Sequence, residues 1–258
     1  METPKSSPDL LADLLADLVG GSRRALARAI TLVESGKPEH REQAEALLSA
    51  ALPHTGKAVR VGISGVPGVG KSTFIENMGS LLCDKGHKLA VLAVDPTSKR
   101  TGGSIMGDKT RMPLLSQHAN AYVRPSPAGM TLGGVARRTR ECLLLCEAAG
   151  YDLIFVETVG VGQSETAVAD MVDVFTLLML PAGGDELQGV KRGIIELADF
   201  ILVNKADGDL RRQALATLSD YKSAARFMRP RFEALPCQAM ACSAETHEGL
   251  EAFWHALM

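Results

Sequence analysis

Residues 65–72 read Gly65-Val66-Pro67-Gly68-Val69-Gly70-Lys71-Ser72 and match the phosphate-loop pattern G-x-x-x-x-G-K-[ST]. A strand-like apolar run (57–64) precedes this loop, and a segment with helical apolar spacing (72–83) follows it. Backbone N–H groups of such a loop surround phosphate oxygens, and the positive end of the helix dipole favours the anion. Lys71 would reach the outer phosphates, and the Ser72 hydroxyl could ligate magnesium. The sequence therefore predicts a nucleoside-triphosphate site that also includes the adjoining Thr73.

The composition limits the class of protein. With 258 residues, 46% hydrophobic and 22% charged, the chain can bury the core of one α/β domain with a modest appendage. A formal net charge of −2 gives no general attraction to nucleic acid, and no apolar run approaches a membrane span in length. Five cysteines without ligand-like spacing predict free thiols in a reducing compartment. Aspartates interrupt the apolar N-terminal residues, which argues against a signal peptide. We expect a cytoplasmic protein that binds neither nucleic acid nor membrane.

The N-terminal part is predicted to be helical. Gly20-Gly21 breaks the pattern, Ser22 is suited to cap a second helix, and Pro38 suits the first turn of a third. We expect residues 1–56 to be a helical extension that packs on a main domain formed by residues 57–258, and a partner surface is the alternative. The third helix places its apolar residues on one face at Ala44, Leu47, Leu48 and Leu52.

Short continuous apolar runs alternate with helical patterns through the rest of the chain. Continuous rather than alternating apolarity is typical of strands buried on both faces. The pattern predicts an α/β fold with a doubly wound, mostly parallel sheet, in which ligands bind at the carboxyl ends of the strands. The predicted strands after the first are 88–94, 151–156, 172–180, 200–203 and 238–242.

A second motif indicates the base. Asn204-Lys205-Ala206-Asp207 follows a predicted strand and matches the guanine pattern N-K-x-D. The Asp207 carboxylate can accept two hydrogen bonds from the N1–H and exocyclic amine of guanine, whereas adenine offers no such pair of donors. Four residues alone would also fit a loop asparagine that caps the next helix, but the phosphate loop upstream favours guanine. After the last predicted strand, the segment 242–245 resembles the loop that supports guanine from its other side. Ser243 and Ala244 of this segment are therefore also predicted to bind the nucleotide.

Acidic residues follow the buried strands, where a magnesium site is expected. Mg²⁺ prefers hard oxygen ligands and is usually held by one or two carboxylates plus substrate phosphates. Asp95, Asp108 and Glu157 are therefore predicted to serve with Ser72 as metal ligands. Asp95 ranks below the other two carboxylates, because an aspartate before a proline is also a common turn residue.

Two glycine-rich polar segments, 157–163 and 181–189, lie just beyond buried strands and are predicted to be switch loops. Hydrolysis at such a site is phosphoryl transfer to water, which depends on positioning and charge neutralisation. Val161 stands where Ras-like proteins carry the glutamine that orients the attacking water, and Gln163 lies two positions on. We therefore expect slow intrinsic turnover that a partner accelerates. The catalytic candidates are Lys71, Asp95, Glu157 and Gln163, and the switch candidates are Gly160, Gln163, Asp185, Glu186, Gln188 and Lys191.

Several motifs together resemble one family, the methylmalonyl-CoA mutase-associated GTPases of the MeaB/MMAA group, once labelled ArgK. The long stretches 102–112 and 156–163 distinguish this group from its hydrogenase- and urease-maturation relatives. The similarity runs from about Val59 to Ala244, and the N-terminal helices also suit the family. The segments that carry it are Gly65–Thr73, Asp95-Pro96 with Gly102–Met112, Val156–Gln163, Gly184–Gly189 and Asn204–Gly208.

The resemblance implies a P-loop GTPase of the SIMIBI type that binds GTP or GDP with Mg²⁺. It further implies a chaperone for an adenosylcobalamin-dependent acyl-CoA mutase, in which GTP binding and hydrolysis are coupled to cofactor loading and protection. Cobalamin would belong to the partner and not to this chain. By matching motif, Ser72 and Asp108 would ligate magnesium, with Glu157 and Asp95 close by or acting through water. Residues 185–191 would form an additional switch that senses the partner.

The family continues into a helical dimerisation arm, whereas this sequence ends soon after residue 243. The chain is therefore a naturally short member, a truncated one, or a protein that pairs as a homodimer through another surface. Two other functions stay open. A transport-linked kinase for arginine or ornithine follows from the older label, although a guanine motif fits it poorly. A nickel metallochaperone shares the fold class, but no Cys/His cluster near the loops is suited to nickel.

Overall fold

The computed structural model describes residues 7–94, 112–124, 132–158, 165–181, 192–232 and 235–258. These residues contain the strands β1 (Val59–Gly65), β2 (Leu89–Val94), β3 (Ala121–Arg124), β4 (Leu153–Thr158), β5 (Val174–Met179), β6 (Phe200–Val203) and β7 (Gln238–Ala241). The strands form one sheet in the order β3-β2-β4-β1-β5-β6-β7, and every neighbouring pair is parallel.

Helices cover both faces of this sheet. The described helices are α1 (Ser7–Val19), α2 (Arg23–Glu34), α3 (Pro38–Ala51), α4 (Lys71–Asp84), α5 (Pro113–Gln117), α6 (Leu132–Ala148), α7 (Glu165–Ala169), α8 (Arg192–Ile195), α9 (Arg211–Ala225) and α10 (Leu250–Leu257). Alternate residues of a strand point to opposite faces. In β4, Ile154 and Val156 pack in the core below α2, α3 and α6, whereas Leu153 and Phe155 pack in the core with α4 and α10. The predicted doubly wound α/β fold is confirmed, with an all-parallel sheet.

Each predicted strand is present, with ends that move by up to two residues. The first begins at Val59 rather than residue 57, and the strand predicted to end at residue 156 runs on to Thr158. The edge strand β3 was not among the predictions. Its four residues include Tyr122 and Arg124, so it lacks the continuous apolar run that marks the inner strands.

The three N-terminal helices pack against the main sheet. Ser22 caps α2 as predicted, because its side chain accepts a hydrogen bond from the Ala25 amide at 3.3 Å. Leu26, Ile30 and Val33 on α2 are fully buried in the same hydrophobic cluster as α6 and the outer strands. One continuous core thus joins the N-terminal helices to the sheet, and the division of the chain at residues 56 and 57 stays a prediction.

One residue of the predicted apolar face of α3 is exposed. Ala44 and Leu47 are buried on α3 and Leu48 is half-buried, but Leu52 is 52% exposed. The chain tightens into a 3₁₀ turn at Leu52–His54, so Leu52 leaves the helical stripe, and Ala51 takes the buried position one turn after Leu47 and Leu48. Leu52 therefore does not share the buried face that Ala44 and Leu47 form.

The cysteines are free thiols, as predicted. Cys83, Cys142, Cys146 and Cys242 are buried and Cys237 is half-buried. Across the part of the chain that is described, no helix combines the length and apolar character needed to cross a membrane.

Candidate functional site

The phosphate loop connects β1 to α4 at the carboxyl edge of the sheet. The last residue of β1, Gly65, pairs with Leu178 of the neighbouring strand β5. Gly70 is the N-cap of α4 and has a φ of 95°, a left-handed conformation that residues with a side chain rarely adopt. A Cβ atom at Gly70 would also stand 2.7 Å from Nδ2 of Asn204. Both the backbone conformation and the close approach of Asn204 therefore require glycine at this position.

Lys71 is the first residue of α4, and its ammonium group lies over the loop. Its Nζ donates hydrogen bonds to the carbonyl oxygens of Gly65 at 2.7 Å and Val66 at 3.3 Å. The first N–H groups of a helix have no intrahelical acceptor, so the start of α4 offers donors and a positive dipole end to an anion. This arrangement suits a polyphosphate, and the individual phosphate contacts of residues 65–73 stay predictions.

Two predicted magnesium ligands lie next to each other. Ser72 is on α4, Glu157 is on β4 beside Ile63 of β1, and Ser72 Oγ donates to Glu157 Oε1 at 3.4 Å. The neighbouring Thr158 is fully buried, and its hydroxyl donates to Ser64 Oγ at 2.9 Å, which ties the ends of β4 and β1 together. Hydroxyl and carboxylate oxygens are ligands that Mg²⁺ prefers, so this donor set fits the ion.

The base side of the site is a cavity of about 170 Å³ that borders the phosphate loop at Gly70. The predicted base residues meet there from two separate loops, one after β6 and one after β7. Lys205 has a positive φ of 58°, and Asp207 precedes the 3₁₀ turn Gly208–Leu210. The cavity is lined by Gly70, Thr73, Asn204, Lys205, Asp207, Leu210, Ser243, Ala244 and Glu245.

Asn204 connects the two loops to the phosphate loop. It is 1% exposed, its Nδ2 donates to the Val69 carbonyl at 2.8 Å, and its Oδ1 accepts from the Ala244 amide at 2.9 Å. The Cys242 thiol lies 3.7 Å from the same Oδ1. Burial raises the pKa of Cys242 to about 12, so at neutral pH the group is a thiol that can donate to Asn204. Asn204 thus has a bridging role in the site, and its contact with the base stays a prediction.

Sequence reasoning missed Asn77 on α4. Its Nδ2 donates to the carbonyl oxygen of Ala244 at 2.6 Å. The phosphate-loop helix is therefore also bonded to the segment 242–245, the base-supporting loop. The sequence contains one indication of this contact. Glu76 and Asn77 form a polar pair in a helix whose adjoining residues Phe74, Ile75 and Met78 are fully buried.

Glu76 was also missed, and it connects α4 to α5. It is 7% exposed, and its Oε1 accepts from the amides of Leu114 at 2.7 Å and Leu115 at 3.3 Å. These amides belong to the first turn of α5, so the Glu76 carboxylate caps that helix. Glu76 thus connects the phosphate-loop helix to α5.

An ion pair that joins α9 to the segment after β7 was missed as well. Arg211, the first residue of α9, donates to both carboxylate oxygens of Glu248, at 2.7 and 2.8 Å. The Arg211 partner lowers the pKa of the Glu248 carboxyl through hydrogen bonding and charge. Both side chains are about half exposed, so water and salt weaken the pair.

Several predicted site residues lie outside the described ranges. Within those ranges, no group of three or more His, Cys, Asp or Glu side chains is placed to hold a metal ion. Ser72 and Glu157 are the predicted magnesium ligands whose positions are described. The predicted residues outside the described ranges are Asp95, Asp108, Gly160, Gln163, Asp185, Glu186, Gln188 and Lys191.

An all-parallel sheet with a phosphate loop after β1 and an N-K-x-D loop after β6 defines a P-loop GTPase. The comparison with protein families gives the particular group. The family model described as "Methylmalonyl Co-A mutase-associated GTPase MeaB" matches residues 26–258. The chain therefore belongs to the MeaB family, and the resemblance predicted from its motifs is confirmed.

Sequence identity to two named proteins supports this assignment. The chain is 53% identical over 254 residues to the Mus musculus protein named methylmalonic aciduria type A homolog, mitochondrial, with 95% of this chain and 61% of that protein covered. It is 48% identical over 248 residues to GTPase ArgK of Escherichia coli, with 96% of this chain and 75% of that protein covered. The predicted activity, hydrolysis of GTP, is confirmed at the level of the family.

A solved structure supports the fold across the whole chain. The crystal structure of an LAO/AO transport system kinase superposes with a TM-score of 0.83 at 40% identity. The superposition covers 99% of this chain and 76% of the other. The SIMIBI-type P-loop fold predicted from the resemblance is thereby confirmed.

Proposed function

We propose that this chain is a Mg²⁺-dependent GTPase that assists an adenosylcobalamin-dependent methylmalonyl-CoA-type mutase. The observation that carries the nucleotide part of the proposal is the position of Gly70. The cavity with the predicted guanine residues is also lined by Gly70 and Thr73, which belong to the phosphate loop and the first turn of α4. A single nucleotide could therefore place its phosphates over Lys71 and its base beside Asp207.

Guanine is the base that the cavity suits. A carboxylate at position 207 offers two acceptor oxygens, which match the N1–H and exocyclic amine of guanine. Ser243 and Ala244 line the same cavity and would support the base from the second loop. Adenine would leave the Asp207 carboxylate without this pair of donors, which costs binding energy in a partly desolvated site.

The metal side of the proposal rests on the Ser72 hydroxyl and the Glu157 carboxylate. Magnesium, when bound, would supply charge neutralisation at the β- and γ-phosphates. Lys71 would bind and orient the same phosphates. Roles for Asp95 and Asp108 in metal binding, for Gln163 near the attacking water, and for Asp185, Glu186, Gln188 and Lys191 in a switch are part of the proposal. Slow turnover without a partner follows from Val161 at the position that Ras-like proteins fill with glutamine.

The mutase partner is proposed from the family and from the name of the mouse relative. In this proposal, GTP binding and hydrolysis control loading and protection of the mutase cofactor, and cobalamin stays with the mutase. A cytoplasmic location and the pairing of two copies belong to the same proposal. Co-purification tests the partnership: the tagged chain should retain the mutase of its own organism with a GTP analogue, and a purified mutase that never binds would contradict it.

Transport-linked phosphorylation is the second candidate, because the 40% identical protein of known structure is named a transport system kinase. In that case the γ-phosphoryl group would pass to an amino acid such as arginine rather than to water. Incubation with γ-labelled GTP or ATP separates the two functions. Label in inorganic phosphate supports hydrolysis, and label in arginine or ornithine supports the kinase.

The base assignment is tested with Asp207→Asn. Calorimetry with Mg²⁺ should show that the variant loses about tenfold to a hundredfold in affinity for GTP, since hydrogen bonds to a charged group are lost. Its affinity for xanthosine triphosphate should rise, because an amide can donate to the oxygen that replaces the guanine amine.

The matched control for this test is Asp209→Asn. Asp209 lies in the 3₁₀ turn after Asp207 and does not line the base cavity. It should keep the nucleotide preference of the parent chain. An unchanged preference for GTP over xanthosine triphosphate in Asp207→Asn would overturn the base assignment.

A further inference from the structure

We propose that Asn77 is a positioning residue that fixes the base-supporting loop relative to the phosphate loop and thereby sets guanine selectivity. The proposal rests on the guanine site proposed above. Asn77 lies on α4, and its Nδ2 donates to the carbonyl oxygen of Ala244 at 2.6 Å. Ala244 is 3% exposed and lines the base cavity, so this carbonyl is held within the protein and beside the site.

The contact closes a ring of hydrogen bonds. The Ala244 amide donates to Asn204 Oδ1 at 2.9 Å, and Asn204 Nδ2 donates to the Val69 carbonyl at 2.8 Å. Val69 leads through Gly70 into α4, which returns to Asn77. The backbone partners fix the direction of every bond, because a carbonyl can only accept and an N–H group can only donate. Both asparagine side chains are thus held in one orientation.

The helix α4 carries contacts for both ends of the nucleotide. Lys71 and Ser72 in its first turn are the phosphate and magnesium residues. Asn77 lies five positions after Ser72, about 7.5 Å further along the helix axis at the usual rise per residue. Because a helix is stiff over this length, a hydrogen bond from Asn77 fixes the base-supporting loop at a set distance from the phosphates.

Two other hydrogen bonds of the base-supporting loop do not reach the phosphate loop or α4. The Cys242 amide donates to the Val203 carbonyl at 2.9 Å, and the Ala206 amide donates to the Cys242 carbonyl at 3.0 Å. These bonds extend the pairing of β6 with β7 and join the two base loops to each other. Within the described residues, the side-chain hydrogen bonds that join these loops to the phosphate loop and α4 are those of Asn204 and Asn77. Removing Asn77 should therefore loosen the base end while the phosphate loop keeps its geometry.

The test compares three ligands on Asn77→Ala. GDP uses both ends of the site, inosine diphosphate lacks the exocyclic amine that Asp207 would bind, and tripolyphosphate uses the phosphate end alone. Loss of one buried hydrogen bond should lower GDP affinity about tenfold. The ratio of GDP to inosine diphosphate affinity should fall toward one, because base alignment is lost, and tripolyphosphate affinity should stay unchanged.

Asn120→Ala is the matched control. Asn120 also donates its side-chain amide to a backbone carbonyl of α4, that of Cys83 at 3.4 Å, but at the end of the helix far from the phosphate loop. It should leave the affinities for all three ligands unchanged. Asn77→Asp should have a larger effect than Asn77→Ala, because a carboxylate would face the Ala244 carbonyl. If Asn77→Ala does not fold, Asn77→Ser tests the same ratio with a polar side chain too short to reach Ala244.

The outcomes separate this inference from the proposed function. A parent chain that binds GDP and inosine diphosphate equally would overturn the guanine site and this inference together. A selective parent chain with an Asn77→Ala variant of unchanged selectivity would overturn the inference alone. Equal loss of tripolyphosphate and GDP affinity would also overturn it, because Asn77 would then support the whole site and not the base end.

Discussion

The phosphate end and the base end of the site are constructed in different ways. The phosphate end comes from one continuous stretch, residues 65–73, in which the backbone itself makes the binding surface. The base end brings together loops from two distant parts of the chain, which Asn77 and Asn204 join to the phosphate loop and its helix. One end is therefore fixed by local conformation and the other by side-chain hydrogen bonds, so mutations should affect the two ends unequally.

The largest effect is expected from Gly70→Ala, because Gly70 belongs to both ends. An alanine there combines a φ of 95° with a Cβ that would stand 2.7 Å from Asn204 Nδ2. We expect the free energy of unfolding to fall by about 2 kcal/mol or more. GDP affinity should fall at least about tenfold because the ring around Asn204 must shift. Urea denaturation and calorimetry measure the two effects.

Gly86→Ala separates backbone strain from the contact with Asn204. Gly86 follows α4 and has a similar φ of 97°, but nothing lies within 4 Å of a Cβ built there. This variant should cost about 1 kcal/mol of stability and leave GDP affinity unchanged. If both glycine variants lost GDP affinity equally, the close approach of Asn204 to the phosphate loop would not contribute to GDP binding.

A smaller effect is expected from Glu76→Ala, which tests the hydrogen bonds between the phosphate-loop helix and α5. Removing the carboxylate leaves the amides of Leu114 and Leu115 without their acceptor, which should lower the free energy of unfolding by about 2 kcal/mol. Glu76→Gln keeps one acceptor oxygen and should lose less than half as much. Chemical denaturation of the three chains gives the comparison, and equal losses for alanine and glutamine would show that the hydrogen bonds to α5 do not carry the effect. Selectivity between GDP and inosine diphosphate should stay unchanged, since the hydrogen bonds of Glu76 lead to α5 and not to the base loops.

The smallest effect is expected from Arg211→Ala, next in the chain to Leu210, which lines the base cavity. The pair with Glu248 has good geometry but is half exposed, so we expect GDP affinity to change by no more than about twofold at low salt. The difference should vanish at high ionic strength because exposed charges are screened. Arg212→Ala, at the next position of α9, is the control. A large loss of affinity that persists in high salt would mean that this pair, rather than the asparagines, holds the base end closed.

The same contrast decides how much of the molecule can be predicted from its sequence. The phosphate loop, the buried strands and the guanine motif are local patterns, so their positions in the chain can be predicted from the sequence. The short edge strand Ala121–Arg124 has no continuous apolar run, and its place in the sheet depends on pairing with β2. Leu52 follows the helical pattern, but the 3₁₀ turn that ends α3 carries it into solvent.

The missed site residues share one property. Asn77, Glu76 and Arg211 each act through a partner more than 35 positions away, at Ala244, Leu114 and Glu248. Such partners are fixed only when the sheet has assembled, so a local motif cannot indicate them. For Glu76 and Asn77, the one indication in the sequence is a polar pair next to buried apolar residues of the same helix.

The most direct test of a single nucleotide spanning both ends is a crystal structure of the chain with GDP and Mg²⁺. We predict that the guanine N1–H and exocyclic amine lie within hydrogen-bond distance of Asp207, with the β-phosphate at Lys71 and the metal at Ser72. The bond from Asn77 to Ala244 should be retained in the same structure. A guanine ring bound outside the cavity lined by Asn204, Asp207 and Ala244 would contradict the claim that one nucleotide joins the two ends.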